Sequence, residues 1–149
     1  MRADKIATIY HQIGVNSSLK NCFNAVAALE DISAWWTPTS GDPLLDGELT
    51  FSFGEHSIIA IVTKYQDNKI VEWTVKGEDG EWLHTRICFE LLEKDNQVLI
   101  NFQHADWKDT TEMFAHCSTK WAVFLVSMKK FLETGRGQPF PIDEPINHY

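Results

Sequence analysis

The chain has 149 residues, 44% of them hydrophobic, which is enough for one domain with a full core and does not fit a disordered segment. A formal charge of −8, with no run of Lys or Arg, excludes the clustered cations that nucleic acid or an anionic membrane requires. Cys22, Cys88 and Cys117 are odd in number, far apart and without CxxC spacing, which excludes a disulfide framework and a zinc knuckle.

Ile6 to Val15 is predicted as a first strand, with Ala7, Ile9, His11, Ile13 and Val15 on one face and Thr8, Tyr10 and Gln12 on the other. Asn16 or Ser17 is placed to cap a helix over Ser18–Ala28, whose buried stripe is Cys22, Phe23, Val26 and Ala27. A short second helix follows from Leu29 to Trp36. Thr37 to Asp46 carries two prolines, a glycine and two aspartates and reads as an irregular loop.

Four further hairpin-linked strands alternate apolar and polar residues. They are predicted over Gly47–Phe53, Ser57–Tyr65, Lys69–Lys76 and Glu81–Glu93, with turns at Gly54-Glu55, Asp67-Asn68 and Gly77–Gly80. In the last of them Leu83, Thr85, Ile87, Phe89 and Leu91 share one face, and Trp82, His84, Arg86, Cys88 and Glu90 the other. Asp95-Asn96 turns the chain into a final strand, Gln97–Ala105. A polar link, Asp106–Thr111, leads to a long helix over Glu112–Thr134.

That helix carries Met113, Phe114, Cys117, Trp121, Phe124, Leu125, Met128, Phe131 and Leu132 at steps of mostly three and four, so they form one wide stripe. Gly135 is its stop signal, and Pro139 and Pro141 prevent resumption. The predicted fold class is α+β: a curved antiparallel six-stranded sheet wrapped around a long C-terminal helix, with two short helices after strand 1. One domain is expected over 1–149, with 136–149 an irregular tail. The N-terminal MRADKIATIYHQI lacks a signal-peptide core, no apolar run has transmembrane length, and free thiols suit a reducing compartment. A cytoplasmic location without membrane insertion is therefore expected.

Three stretches resemble a known family. They are Phe23-Asn24-Ala25-Val26 followed by Trp35-Trp36, then Asp46-Gly47-Glu48-Leu49-Thr50-Phe51, then Trp121 through Gly137 ending Phe131-Leu132-Glu133-Thr134-Gly135-Arg136-Gly137. In order and spacing they are similar to the family named after the activator of the Hsp90 ATPase (homologue 1-like), in its single-domain bacterial form. That family lies within the START/Bet v 1-like (SRPBCC) superfamily. His104 also falls where many members carry a histidine. The resemblance implies the helix-grip fold, a hydrophobic cavity between sheet and helix, and binding of apolar compounds, with cyclisation or related catalysis in some members. The eukaryotic activator carries a separate N-terminal domain that contacts the chaperone; over these 149 residues one is not expected.

The leading expectation is a small apolar ligand held in that cavity. Expected wall residues are His11, Trp36, Phe51, Trp73, Ile87, His104, Trp121 and Leu125. Six tryptophans suit a cavity wall as well as a solid core. A second reading is an enzyme of cyclase or hydrolase type with His11 or His104 as acid or base, since histidine titrates near neutral pH. A third is chaperone assistance through an aromatic surface. The sequence leaves a homodimer open. His84, His104 and His116 with Asp106 or Glu112 could be gathered by the fold, but no two histidines have ligand spacing. No metal or cofactor is therefore expected, and the absence of a GxSxG elbow and of a phosphate loop gives no sign of nucleophilic catalysis or phosphate binding.

Overall fold

The computed structural model describes residues 6–77 and 80–147. Glu78 and Asp79 of the expected Gly77–Gly80 turn, and His148 and Tyr149 of the tail, lie outside them.

The chain runs β1 (Ala7–Val15), α1 (Leu19–Ala27), α2 (Leu29–Trp35), β2 (Thr39–Gly41), β3 (Glu48–Phe53), β4 (His56–Gln66), β5 (Ile70–Lys76), β6 (Arg86–Lys94), β7 (Gln97–Trp107) and α3 (Glu112–Thr134). All strands pair antiparallel in one sheet of order β1-β7-β6-β5-β4-β3-β2. The sheet therefore has seven strands, not six. The extra one, β2, pairs Thr39 with Phe51 and Gly41 with Leu49. It sits between Pro38 and Pro43, so the breakers that marked the segment as a loop hid a strand three residues long. At Gly41 the backbone has φ 113°, and a Cβ there would lie 2.1 Å from the Glu48 carbonyl, so this edge closes only on glycine.

Ser18, rather than Asn16 or Ser17, caps α1. Its backbone is extended and its hydroxyl accepts from the Asn21 N–H at 3.0 Å. The Asn16 N–H instead donates to the Glu133 carboxylate at 2.8 Å, tying the end of β1 to α3. α1 buries Cys22, Phe23, Ala25 and Val26. The indole of Trp35 donates to the Ala25 carbonyl at 2.7 Å, which fixes α2 against α1.

Asp95 and Asn96 both have positive φ (54° and 61°), the backbone of a two-residue hairpin turn that matches strand twist. The β5–β6 connection departs from expectation. Glu81–His84 form a turn, and β6 begins at Arg86. His84 has φ 68°, which breaks the strand alternation. Trp82 and Leu83 therefore both reach one side, although strict alternation would separate them. At the far end, Asp106 has φ 69° and the β1–β7 register shifts between Ala7 and Ile9, so β7 continues through Trp107 and buries its ring.

Thr111 caps α3 by accepting from the Phe114 N–H at 3.2 Å. Gly135 ends it in the left-handed region (φ 86°), with its N–H on the Phe131 carbonyl at 2.8 Å. The backbone of α3 lies against β1, α1 and α2. Large rings span the distance from it towards β3–β5: Trp36 meets Trp121 at 4.9 Å, Trp73 at 5.8 Å and Phe51 at 4.5 Å. Among the described residues the tail forms no helix or strand but is bound to the helices. Gln138 N–H donates to Ser127 Oγ and Phe140 N–H to the Trp36 carbonyl, each at 2.7 Å. Gly137 permits this approach, because a Cβ there would meet the Ala34 carbonyl at 2.6 Å. Among the described residues no helix is long and apolar enough to cross a membrane.

Candidate ligand cavity

Because α3 leans towards β1, its N-terminal half stands away from the other half of the sheet. The space between is a cavity of about 560 Å³, a size usual for small-molecule sites. The sheet contributes Phe53 from the end of β3, His56 and Ile58 from the start of β4, and Val75 from the end of β5. The Gly80–His84 turn adds Glu81, Trp82 and Leu83. α3 adds Met113, His116, Cys117, Lys120, Trp121 and Phe124, and the tail closes one side with Phe140 and Asp143. Met113, expected in the buried stripe of α3, is 46% exposed. Trp36 forms the floor, and Trp82 stacks on Trp121 with centroids 6.2 Å apart and ring planes 20° apart.

Of the expected wall residues, Trp36 and Trp121 line this space. Phe51, Trp73, Ile87 and Leu125 lie instead in the packed layer beneath, all buried. They share the inward face, as alternation requires, but other rings cover them: Trp73 is flanked by Trp36, Phe51 and Phe89. His11, on edge strand β1, donates through Nε2 to the Ser118 carbonyl of α3 at 2.9 Å and stacks on Phe102. It stands on the side of the helix away from the cavity.

His104 is wholly buried behind the cavity wall, and its bonding fixes its tautomer. The Trp121 indole can only donate, and it does so to Nδ1 at 3.0 Å. Nδ1 is therefore unprotonated, and Nε2–H donates to Thr85 Oγ at 2.8 Å. The Thr85 hydroxyl in turn donates to the Trp82 carbonyl at 2.6 Å. One imidazole thus ties a ring of α3 to the turn that carries Trp82. Burial pushes the His104 pKa down to about 3, so the ring is neutral at physiological pH. This arrangement is suited to positioning Trp121 and Trp82, not to proton transfer near pH 7.

The thiols are equally quiet. Burial pushes Cys22 and Cys88 up to about 11 and also raises Cys117, where the Trp82 N–H, 3.4 Å from Sγ, opposes it. His84 is exposed on its left-handed turn, apart from His104 and His116. Among the described residues no three His, Cys, Asp or Glu side chains converge as metal ligands.

Several lining residues carried no readable sequence signal. Phe53, Ile58 and Val75 read as ordinary strand positions, and Phe140 and Asp143 belong to a segment without periodicity. His116 and Lys120 sit beside the apolar stripe of α3, where a solvated reading was natural.

A curved antiparallel sheet gripping a C-terminal helix over an apolar cavity defines a helix-grip protein of the START/Bet v 1-like (SRPBCC) superfamily. No family model and no curated protein matches the sequence, but solved structures do. The Aha1 dimer of Colwellia psychrerythraea is 37% identical, with a TM-score of 0.82 over 88% of this chain and 99% of that one. The chain belongs to the Aha1-like family. SSP2350 of Staphylococcus saprophyticus (17% identity, TM-score 0.74, 88% of this chain and 95% of that) shares the fold. So does CalU16 of Micromonospora echinospora (16%, TM-score 0.75, 90% and 70%).

Proposed function

We propose that this chain binds a small apolar, ring-bearing molecule in the cavity between β3–β5, the Gly80–His84 turn and α3. The supporting observation is the cavity itself, about 560 Å³ walled by Trp36, Phe53, Trp82, Trp121, Phe124 and Phe140, with few polar groups. Such walls offer broad apolar contact and ring stacking to a flat guest. The bonding of His104 speaks against the enzyme reading that rested on it. His11 has a structural partner in the Ser118 carbonyl. A homodimer is part of the proposal, supported by the dimer of the Colwellia relative. Family membership alone brings no chaperone partner to this chain.

A panel of aromatic compounds should raise the thermal midpoint of the protein by an amount set by ligand concentration over Kd. Leu83→Trp, which places an indole in the cavity, should abolish that shift while leaving the unliganded midpoint nearly unchanged. Stabilisation that survives Leu83→Trp would place the ligand elsewhere.

A further inference from the structure

Among the described residues lining the cavity, Lys120 is the single Lys or Arg. It stands on the third turn of α3, a rigid position. Its ammonium pairs with the Asp143 carboxylate, donates to the Glu144 carbonyl at 2.8 Å and lies 5.5 Å from the centroid of Phe124. The ion pair is well shielded, with side chains 22% and 10% exposed. The two partners differ in how firmly they are held. Asp143 belongs to the irregular tail. Beyond Phe140, which is fixed to the Trp36 carbonyl, the tail is tied to α3 through Lys120 and, from Asn147, through His116 at 3.1 Å. The other acid of the wall, Glu81, is occupied by the Thr111 hydroxyl.

We propose that the guest of this cavity is an aromatic carboxylate whose head group takes the place of Asp143 on Lys120. The inference rests on the cavity being a ligand site and adds the chemical class of the ligand. A shielded ammonium is costly to leave unpaired, so a neutral guest leaves the Lys120–Asp143 pair intact and gains nothing from it. An anionic guest exchanges carboxylate for carboxylate. The charge count at Lys120 is unchanged, Asp143 gains full hydration, and the segment from Pro141 to Asn147 loses the tie that Asp143 makes to Lys120. The reverse exchange, a cationic guest taking Asp143, would leave Lys120 beside a second cation without its carboxylate partner. Asp143 thus acts as a tethered competitor, which lowers apparent affinity and makes an occupied cavity visible in the tail.

The test uses 2-naphthoate and its neutral isostere 2-naphthamide, titrated calorimetrically into the full chain. Naphthoate should bind about tenfold or more tightly than the amide, as a charge-assisted contact in a shielded site implies. Lys120→Met should erase that preference. Asp143→Asn should tighten naphthoate alone. Backbone amides of residues 142–147 should exchange faster with naphthoate bound but not with the amide. Equal affinity for the two compounds, or a preference that survives Lys120→Met, overturns the head-group assignment and leaves the cavity reading standing. Binding of neither compound removes both.

Discussion

The Trp121 indole donates to Nδ1 of His104 at 3.0 Å, a bond that fits the neutral imidazole that burial favours inside the wall. Protonating His104 would place a second N–H against the indole N–H. The ordinary histidine value is 6.5, and the folded value is about 3. Between those limits the unfolded chain binds more protons, so the contribution of this site to stability is whole above about 6.5 and falls as the pH falls towards 3. From pH 7 to pH 5 the loss should be about 2 kcal/mol. Urea unfolding at both pH values, for the natural chain and His104→Asn, isolates it. An equal pH dependence in the two would contradict the assignment.

Trp121→Phe keeps a ring in the wall and removes the donor. His104 Nδ1 is then buried without a partner, and stability should fall by about 1–3 kcal/mol at pH 7. The same change should make His104 easier to protonate, which the pH dependence of its ring proton shifts would show. A Phe variant as stable as the natural chain would mean the hydrogen bond contributes nothing.

On the outer face of the sheet, Glu72 of β5 is 3% exposed and is held by Arg86 at 3.0 Å, Thr63 Oγ at 2.8 Å and Lys64 at 3.7 Å. Arg86 also binds Asp106, the residue of the β7 irregularity, at 2.6 Å. Arg86→Ala leaves two acids with weaker partners and should cost about 2–3 kcal/mol. Glu72→Gln, which keeps the hydrogen bond to Thr63, should cost less. Thermal denaturation of the two variants checks the order.

Gly137→Ala should destabilise by about 1–3 kcal/mol, because the new methyl meets the Ala34 and Ser127 carbonyls and pushes the tail off the helices. The amides of Gln138 and Phe140 should then exchange faster. Gly54→Ala, at φ 68° with nothing within 4 Å of the new atom, should cost only about 1 kcal/mol and leave those amides protected.

Periodicity made α3 legible in the sequence, and Gly135 and Asp95-Asn96 marked its stop and a hairpin through their own local chemistry, whereas Thr111, read only as part of a polar link, is the N-cap of α3. It also placed Trp36 and Trp121 where the cavity is. It failed where single backbone angles reset alternation. At His84 and Asp106 non-glycine residues adopt positive φ, which no pattern announces, and these two kinks bring Trp82 and Trp107 inward. Nor does pattern say how far a helix stands from a sheet. Phe51, Trp73, Ile87 and Leu125 face inward but lie under other rings, because α3 approaches β1 and leaves its gap above Phe53, Ile58 and Val75. The tail's role follows from Gly137, whose lack of a side chain matters only once Ala34 is known to lie beside it.

The aromatic array has an optical consequence. All six tryptophans are joined in one branched series: Trp35 to Trp36, Trp36 to Trp73 and Trp121, Trp121 to Trp82, and Trp82 to Trp107, with no step longer than 6.4 Å. At such spacing, excitation absorbed by one indole passes readily to the next. The series behaves as a single antenna, and three of its members, Trp36, Trp82 and Trp121, border the cavity. An acceptor molecule seated there would drain the emission of the whole set, including rings it never touches.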